Sequence, residues 1–177
     1  MGLIMDELVL ELEGRSTIRA FRKGVIPGLL MQGLDLNRAI KKAMGLGLCV
    51  HENTVHNVVV TQAKVLLAQF LNNESVTGLN YHAIGLGATA PSASDTLLEI
   101  EAARKTITSA TRNGASIVLS TYYTAAQSTF SIKEGGIFCN GATATANSGT
   151  LFSHFAQTED NSAGLNDLTF EYSFRIK

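Results

Sequence analysis

Leu8, Leu10 and Leu12 alternate with Glu7, Val9, Glu11 and Glu13, and this period of two predicts a half-exposed strand over residues 7–13. A basic stretch with Arg15, Arg19, Arg22 and Lys23 follows and closes at Gly24. The next apolar run, with Val25, Ile26, Leu29, Leu30 and Met31, is interrupted by Pro27, Gly28 and Gly33, which argues against a long helix. Asp35 is placed to cap a short helix over residues 36–44. Its Leu36, Ala39, Ile40 and Ala43 share one stripe, and Gly45 and Gly47 end it.

From residue 53 onward the pattern changes to short strands in quick succession. Residues 55–60 are β-branched and strand-like. Thr61 begins a helix to about Asn72, with Ala63, Leu66, Leu67 and Phe70 at helical spacing. Residues 79–86 read as a strand, followed by a Gly/Ala/Thr/Pro/Ser loop to Asp95 and a short helix or irregular turn over 96–105. The strands predicted over 104–111 and 115–124 are separated by Asn113-Gly114, a strong hairpin signal. Residues 129–138 form a further strand, with a bulge expected at Gly135-Gly136. The insert CNGATATANSG reads as a long mobile loop, and strands over 149–156 and 167–176 complete the set. In the last of these, Leu168, Phe170, Tyr172, Phe174 and Ile176 point one way while Thr169, Glu171, Ser173 and Arg175 point the other. Antiparallel strands at this spacing, with no helix after residue 113, predict a mainly β chain. The expected architecture is an antiparallel β-sandwich, Ig-like or jelly-roll-like, with one packed helix. It divides into an N-terminal arm over 1–50 and a sandwich domain over 51–177.

Composition narrows the function. The 177 residues are 45% hydrophobic, enough for a sizeable core, and 14 basic residues against 15 acidic ones leave a net charge of −1. That balance disfavours a nucleic-acid-binding or polybasic membrane surface. The start MGLIMDELVLELEG carries Asp6 and Glu7 where a signal peptide needs positive charge, so synthesis and assembly in a cytoplasm are expected. Two cysteines, Cys49 and Cys139, do not make a disulfide framework.

Motifs that carry chemistry are few. Gly85-Leu-Gly87-Ala-Thr-Ala90 follows a strand and matches G-x-G-x-x-A, but Pro91 stands where a phosphate-binding helix should begin and Lys105 where a ribose-binding acid should lie. It reads as a structural turn. His51-Glu52 and His56 do not have zincin spacing, and His82 and His154 look like ordinary strand residues. Cys139 has no histidine near it in sequence. Glu159, Asp160 and Asn161 share a loop that holds calcium at best weakly, and Tyr122-Tyr123 offers one exposed aromatic for carbohydrate stacking. No catalytic residue, cofactor or metal is expected.

From Asn57 the order NVVV, YHAIGLGATAP with Ser94-Asp95-Thr96, a Val/Thr-rich hairpin, IKEGGIF and GTLFSHF resembles small virion structural proteins of tailed bacteriophages, of the tail-fibre and decoration kind. The resemblance covers roughly residues 53–177. Family members more often carry Gly-Thr-Gly where Leu86 stands here, and often lack the CNGATATANSG insert. It implies a non-enzymatic virion component that acts with copies of itself and with other virion proteins. Its motifs are then architectural: Gly85, Gly87, Pro91, Asp95, Asn113, Gly114, Gly135 and Gly136 shape turns, while Arg104-Lys105 and Lys133-Glu134 are expected as cross-strand charge pairs. The alternatives are a host-surface or glycan-binding adhesin module and a small nucleotide-binding protein. The arm supplies the expected assembly contacts, namely Leu8, Leu10, Leu12, Arg15, Arg19, Arg22, Lys23, Ile26, Leu29 and Leu30. Against this stands the simpler expectation that the first strand adds to the chain's own sandwich.

Overall fold

A computed structural model of the chain describes residues 12–177. The strands are β1 (Leu12–Arg22), β2 (Cys49–His56), β3 (Val58–Val59), β4 (Tyr81–Gly85), β5 (Glu101–Thr106), β6 (Ser109–Asn113), β7 (Ser116–Tyr123), β8 (Ser131–Cys139), β9 (Thr150–Asp160) and β10 (Asn166–Ile176). The helices are α1 (Val25–Met31), α2 (Leu36–Gly45) and α3 (Thr61–Leu71). Two five-stranded sheets form, in the orders β2-β1-β10-β7-β6 and β3-β9-β8-β4-β5, and every pairing is antiparallel. The expected β-sandwich is what the chain builds.

The alternation in β10 decides where the core sits. Leu168, Phe170, Tyr172 and Phe174 meet Ile18 and Ala20 of β1 and Leu119 and Tyr123 of β7 on one side, and Ile84, Ile132, Ile137 and Phe155 of the other sheet across the gap. A second cluster lies on the outer face of the first sheet, where Phe21 and Tyr122 are covered by Ile26, Leu29, Leu36, Ala39, Ile40 and Ala43. The α2 stripe is buried as its spacing requires, and the Asp35 side chain accepts from the Arg38 backbone N–H at 2.9 Å.

The division at residue 50 is not present in the fold. That position falls inside β2, which pairs with β1, and β1 pairs over its whole length with β10, from Leu12 opposite Ile176 to Arg22 opposite Asn166. The basic stretch is therefore a central strand. Its odd-numbered residues from Arg15 to Phe21 face outward while Ser16, Ile18 and Ala20 go into the core. Residues 1–11, including the expected contacts Leu8 and Leu10, lie outside the described residues.

Smaller expectations also change. Thr61 is the first helical residue of α3 rather than its cap, and Phe70 at the far end of the expected stripe is 65% exposed. Residues 104–111 do not form one strand. β5 ends at Thr106 in one sheet and β6 begins at Ser109 in the other, so the chain crosses between sheets there. Asn113 pairs with Ser116 as the last residue of β6, and the turn is Gly114-Ala115 with φ of 58° at Gly114 alone. A positive φ at only the first central residue suits a II′ turn, not the Asn-Gly type I′ turn.

Candidate functional site

The glycine-rich turn after β4 does hold an anion, and the anion belongs to the protein. Glu134 of β8 is buried, and its carboxylate accepts backbone N–H bonds from Gly87 (2.9 Å), Glu99 (2.9 Å) and Ile100 (2.7 Å). A Cβ at Gly87 would stand 2.5 Å from Glu134 Oε1, and one at Gly85 would stand 2.4 Å from the Ile100 carbonyl oxygen and 2.6 Å from the same Oε1. Both glycines are needed because backbone wraps a carboxylate at contact distance, the same reason such turns suit phosphates. Among the described residues the place a pyrophosphate would take is filled.

His154 completes this cluster. Its Nε2 lies 3.2 Å from Glu134 Oε2 and its Nδ1 2.7 Å from Asp95 Oδ2. The His154 and Glu134 side chains are 4% and 1% exposed. Asp95 also accepts from the Ser92 N–H at 2.8 Å, so it closes a turn instead of capping a helix; residues 96–100 are irregular. Burial opposes ionisation of the Asp95 carboxyl, and the bonds from the Ser92 N–H and His154 together outweigh it, holding the group below its ordinary pKa. Glu134, His154 and Asp95 thus fasten the 86–100 loop over the outer face of the second sheet, where Leu98 covers Ala83, Phe138 and Leu151. Glu134 does not make the expected pair with Arg104 or Lys105.

Arg104 acts elsewhere. Its guanidinium makes two bonds to Glu101, at 2.7 and 2.8 Å, and lies 4.1 Å from the centre of the Phe138 ring. Both charged side chains are almost fully buried. Arg104 Nη1 also donates to the Thr143 and Ser148 carbonyls, and Glu101 accepts from the Asn147 N–H. The insert after β8 is therefore tied to the sheet rather than mobile, because a buried ion pair supplies partners for its backbone. Lys105 instead donates to the Tyr122 carbonyl and Gln127 Oε1.

The remaining candidates separate. Gly135 and Gly136 pair regularly with Phe155 and His154, and the register shifts lie on either side of them. Their smallness answers close approach: a Cβ at Gly135 would stand 2.1 Å from Phe155 Cζ. Tyr122 and Tyr123 are both buried, in different clusters, so neither offers a stacking face for a sugar. Glu159 is buried against His51, Asp160 closes a turn onto the Ser162 N–H, and Asn161 is buried with Ser128 and Asn166; these three side chains do not converge. Burial pushes the Cys139 thiol up to about 12, and its Sγ donates to the Thr150 carbonyl. Arg19 pairs with Glu52 and Glu171, while Ile26 and Leu29 are core, so these expected assembly contacts are spent within the chain.

Sequence reasoning passed over two features. One is His82, fully buried among Tyr123, Phe155, Phe170 and Tyr172, with Nε2 2.9 Å from the Tyr172 hydroxyl. Desolvation lowers its pKa to about 3, so it is neutral in the core. The other is an apolar groove of about 320 Å³ at one end of the sandwich. Leu66, Leu67 and Phe70 of α3 and Val76 to Leu79 form one wall; Leu12, Ile117, Phe174 and Ile176 form the other, with Phe152 and Cys139 at the base. Phe70 and the neighbouring Leu71, 77% exposed, leave α3 with an apolar end in water. The helical spacing of Phe70 was legible, but nothing in the pattern says that the sheet stops short of it. No family model, curated protein or solved structure matches this chain.

Proposed function

We propose that this chain is a non-enzymatic structural subunit of a tailed-phage virion, assembled in the host cytoplasm and acting through contacts with copies of itself and with other virion proteins. The apolar groove beside α3 carries the assembly part of this reading. A sandwich that covers both outer faces with helices and loops nevertheless leaves a phenylalanine, two leucines and a valine open at one end. Contiguous apolar surface of this kind marks a protein-contact site more often than a solvated one. The virion part rests on the resemblance over residues 53–177. The internal use of Glu134 and Arg104 supports the architectural reading of the motifs, since the groups that first suggest ligand chemistry hold loops in place. The test is to purify particles from lysates that contain this protein, strip loosely bound material with salt, and quantify the chain by mass spectrometry and antibody labelling. A fixed copy number per particle supports the reading. Protein abundant in the lysate and missing from the particles refutes it.

A further inference from the structure

The groove has an occupant of matching chemistry in the same sequence. Eleven residues, MGLIMDELVLE, precede Leu12 and lie outside the described residues. Resting on the assembly reading above, we propose that the groove beside α3 receives the Leu8 and Leu10 side chains of a second copy of this chain.

Three observations carry this. First, Leu12 sits on the groove wall, and the alternation Leu8, Leu10, Leu12 places the two upstream leucines on the same face as a residue that already belongs to apolar surface. Second, β1 starts where its neighbours stop. Leu12 is opposite Ile176, where β10 ends, and β2 reaches β1 only at Arg15 opposite His56. A segment upstream of Leu12 that keeps the strand direction runs past the edge of its own sheet. Third, residues 7–12 contain no Gly, Pro, Asn or Asp with which to reverse the chain onto its own groove. Four residues at about 3.3 Å each place Leu8 roughly 13 Å beyond Leu12, clear of its own sandwich. The same geometry seen from a second copy offers an open apolar groove. Reciprocal exchange gives a closed pair, and a head-to-tail version gives a ring or filament.

The experiment is complementation between two full-length variants. Phe70→Glu spoils the groove at a position already exposed, and Leu8→Asp/Leu10→Asp spoils the segment; light scattering after size-exclusion chromatography reads association, and thermal melts check folding. If Phe70→Glu does not fold, Phe70→Ser replaces it. The expected result is that wild type self-associates and that each variant alone associates at least roughly 30-fold more weakly, the loss typical of a central anchor. An equimolar mixture, which restores one intact groove facing one intact segment, forms a 1:1 complex. A monomeric wild type, variants that associate as wild type does, or a silent mixture each overturn the proposal, and the last two outcomes would assign the groove to the chain's own segment or the contact to another surface. Particle counting is unaffected by these outcomes. A protein present in virions whose variants mix silently refutes the groove assignment alone, and one that complements but is missing from particles refutes the virion reading alone.

Discussion

Protonation of His82 should govern how this fold fails in acid. The ring is fully buried, and desolvation lowers its pKa from 6.5 to about 3. The unfolded chain takes up a proton at His82 as pH falls below about 6.5, whereas the folded chain refuses it until about pH 3. Over that window the unfolded state binds more protons, so stability falls with falling pH. The slope approaches about 1.4 kcal/mol per pH unit, and the loss between pH 7 and pH 4 is about 3 kcal/mol from this one group. Below pH 3 the contribution flattens. Carboxylates such as Asp95 titrate over part of the same range, so the measurement must be differential. His82→Gln keeps a hydrogen-bonding end toward Tyr172 and carries no titrating group. Urea unfolding of both proteins at pH 7, 6, 5 and 4 gives two stability curves. The His82→Gln variant should be less stable than wild type at pH 7, because the imidazole packs against four aromatic rings, and its disadvantage should shrink by about 3 kcal/mol by pH 4. Parallel curves would refute the argument and place the acid sensitivity elsewhere.

Phe170→Ala removes a fully buried ring between the sheets and should cost ~3–5 kcal/mol by chemical denaturation; a loss under ~1 kcal/mol would mean that β10 faces the other way. Glu134→Ala leaves the N–H groups of Gly87, Glu99 and Ile100 without their acceptor and should cost about 3–5 kcal/mol, with hydrogen exchange at those three amides rising before that of β10. Exchange unchanged at Gly87 would show that the loop is held by other contacts. Arg104→Lys keeps the charge but loses the two-bond geometry to Glu101 and the stacking on Phe138; limited proteolysis should then cut within residues 141–149, which resist in wild type. Equal resistance would remove Arg104 as the tie of that loop.

Local periodicity was enough for the framework. The alternation in β10, the Ala39/Ile40/Ala43 stripe of α2 and the crowding of short strands after residue 53 each depend on near neighbours in the chain, and each recurs in the structure. Glycine positions were legible as tight places, but not what makes them tight. That Gly87 accommodates Glu134, 47 residues away, and Gly135 the ring of Phe155 follows from which strands lie side by side, and strand order is not encoded in any window of sequence. The same holds for the charges. Arg104 and Glu134 look like partners along adjacent strands, yet burial makes each demand complete hydrogen bonding, and Arg104 finds it with Glu101 and a loop carbonyl while Glu134 finds it in three backbone N–H groups. Residues 12–50 read as an arm because their own segment is poor in core-forming side chains. Only the tertiary structure supplies the missing partner surface, the edge of β10 and the faces of Phe21 and Tyr122, and so turns an apparent arm into a central strand with two covering helices. Packing, finally, decides where the core stops: Phe70 is apolar in the sequence and exposed in the fold because the sheets end before they reach it.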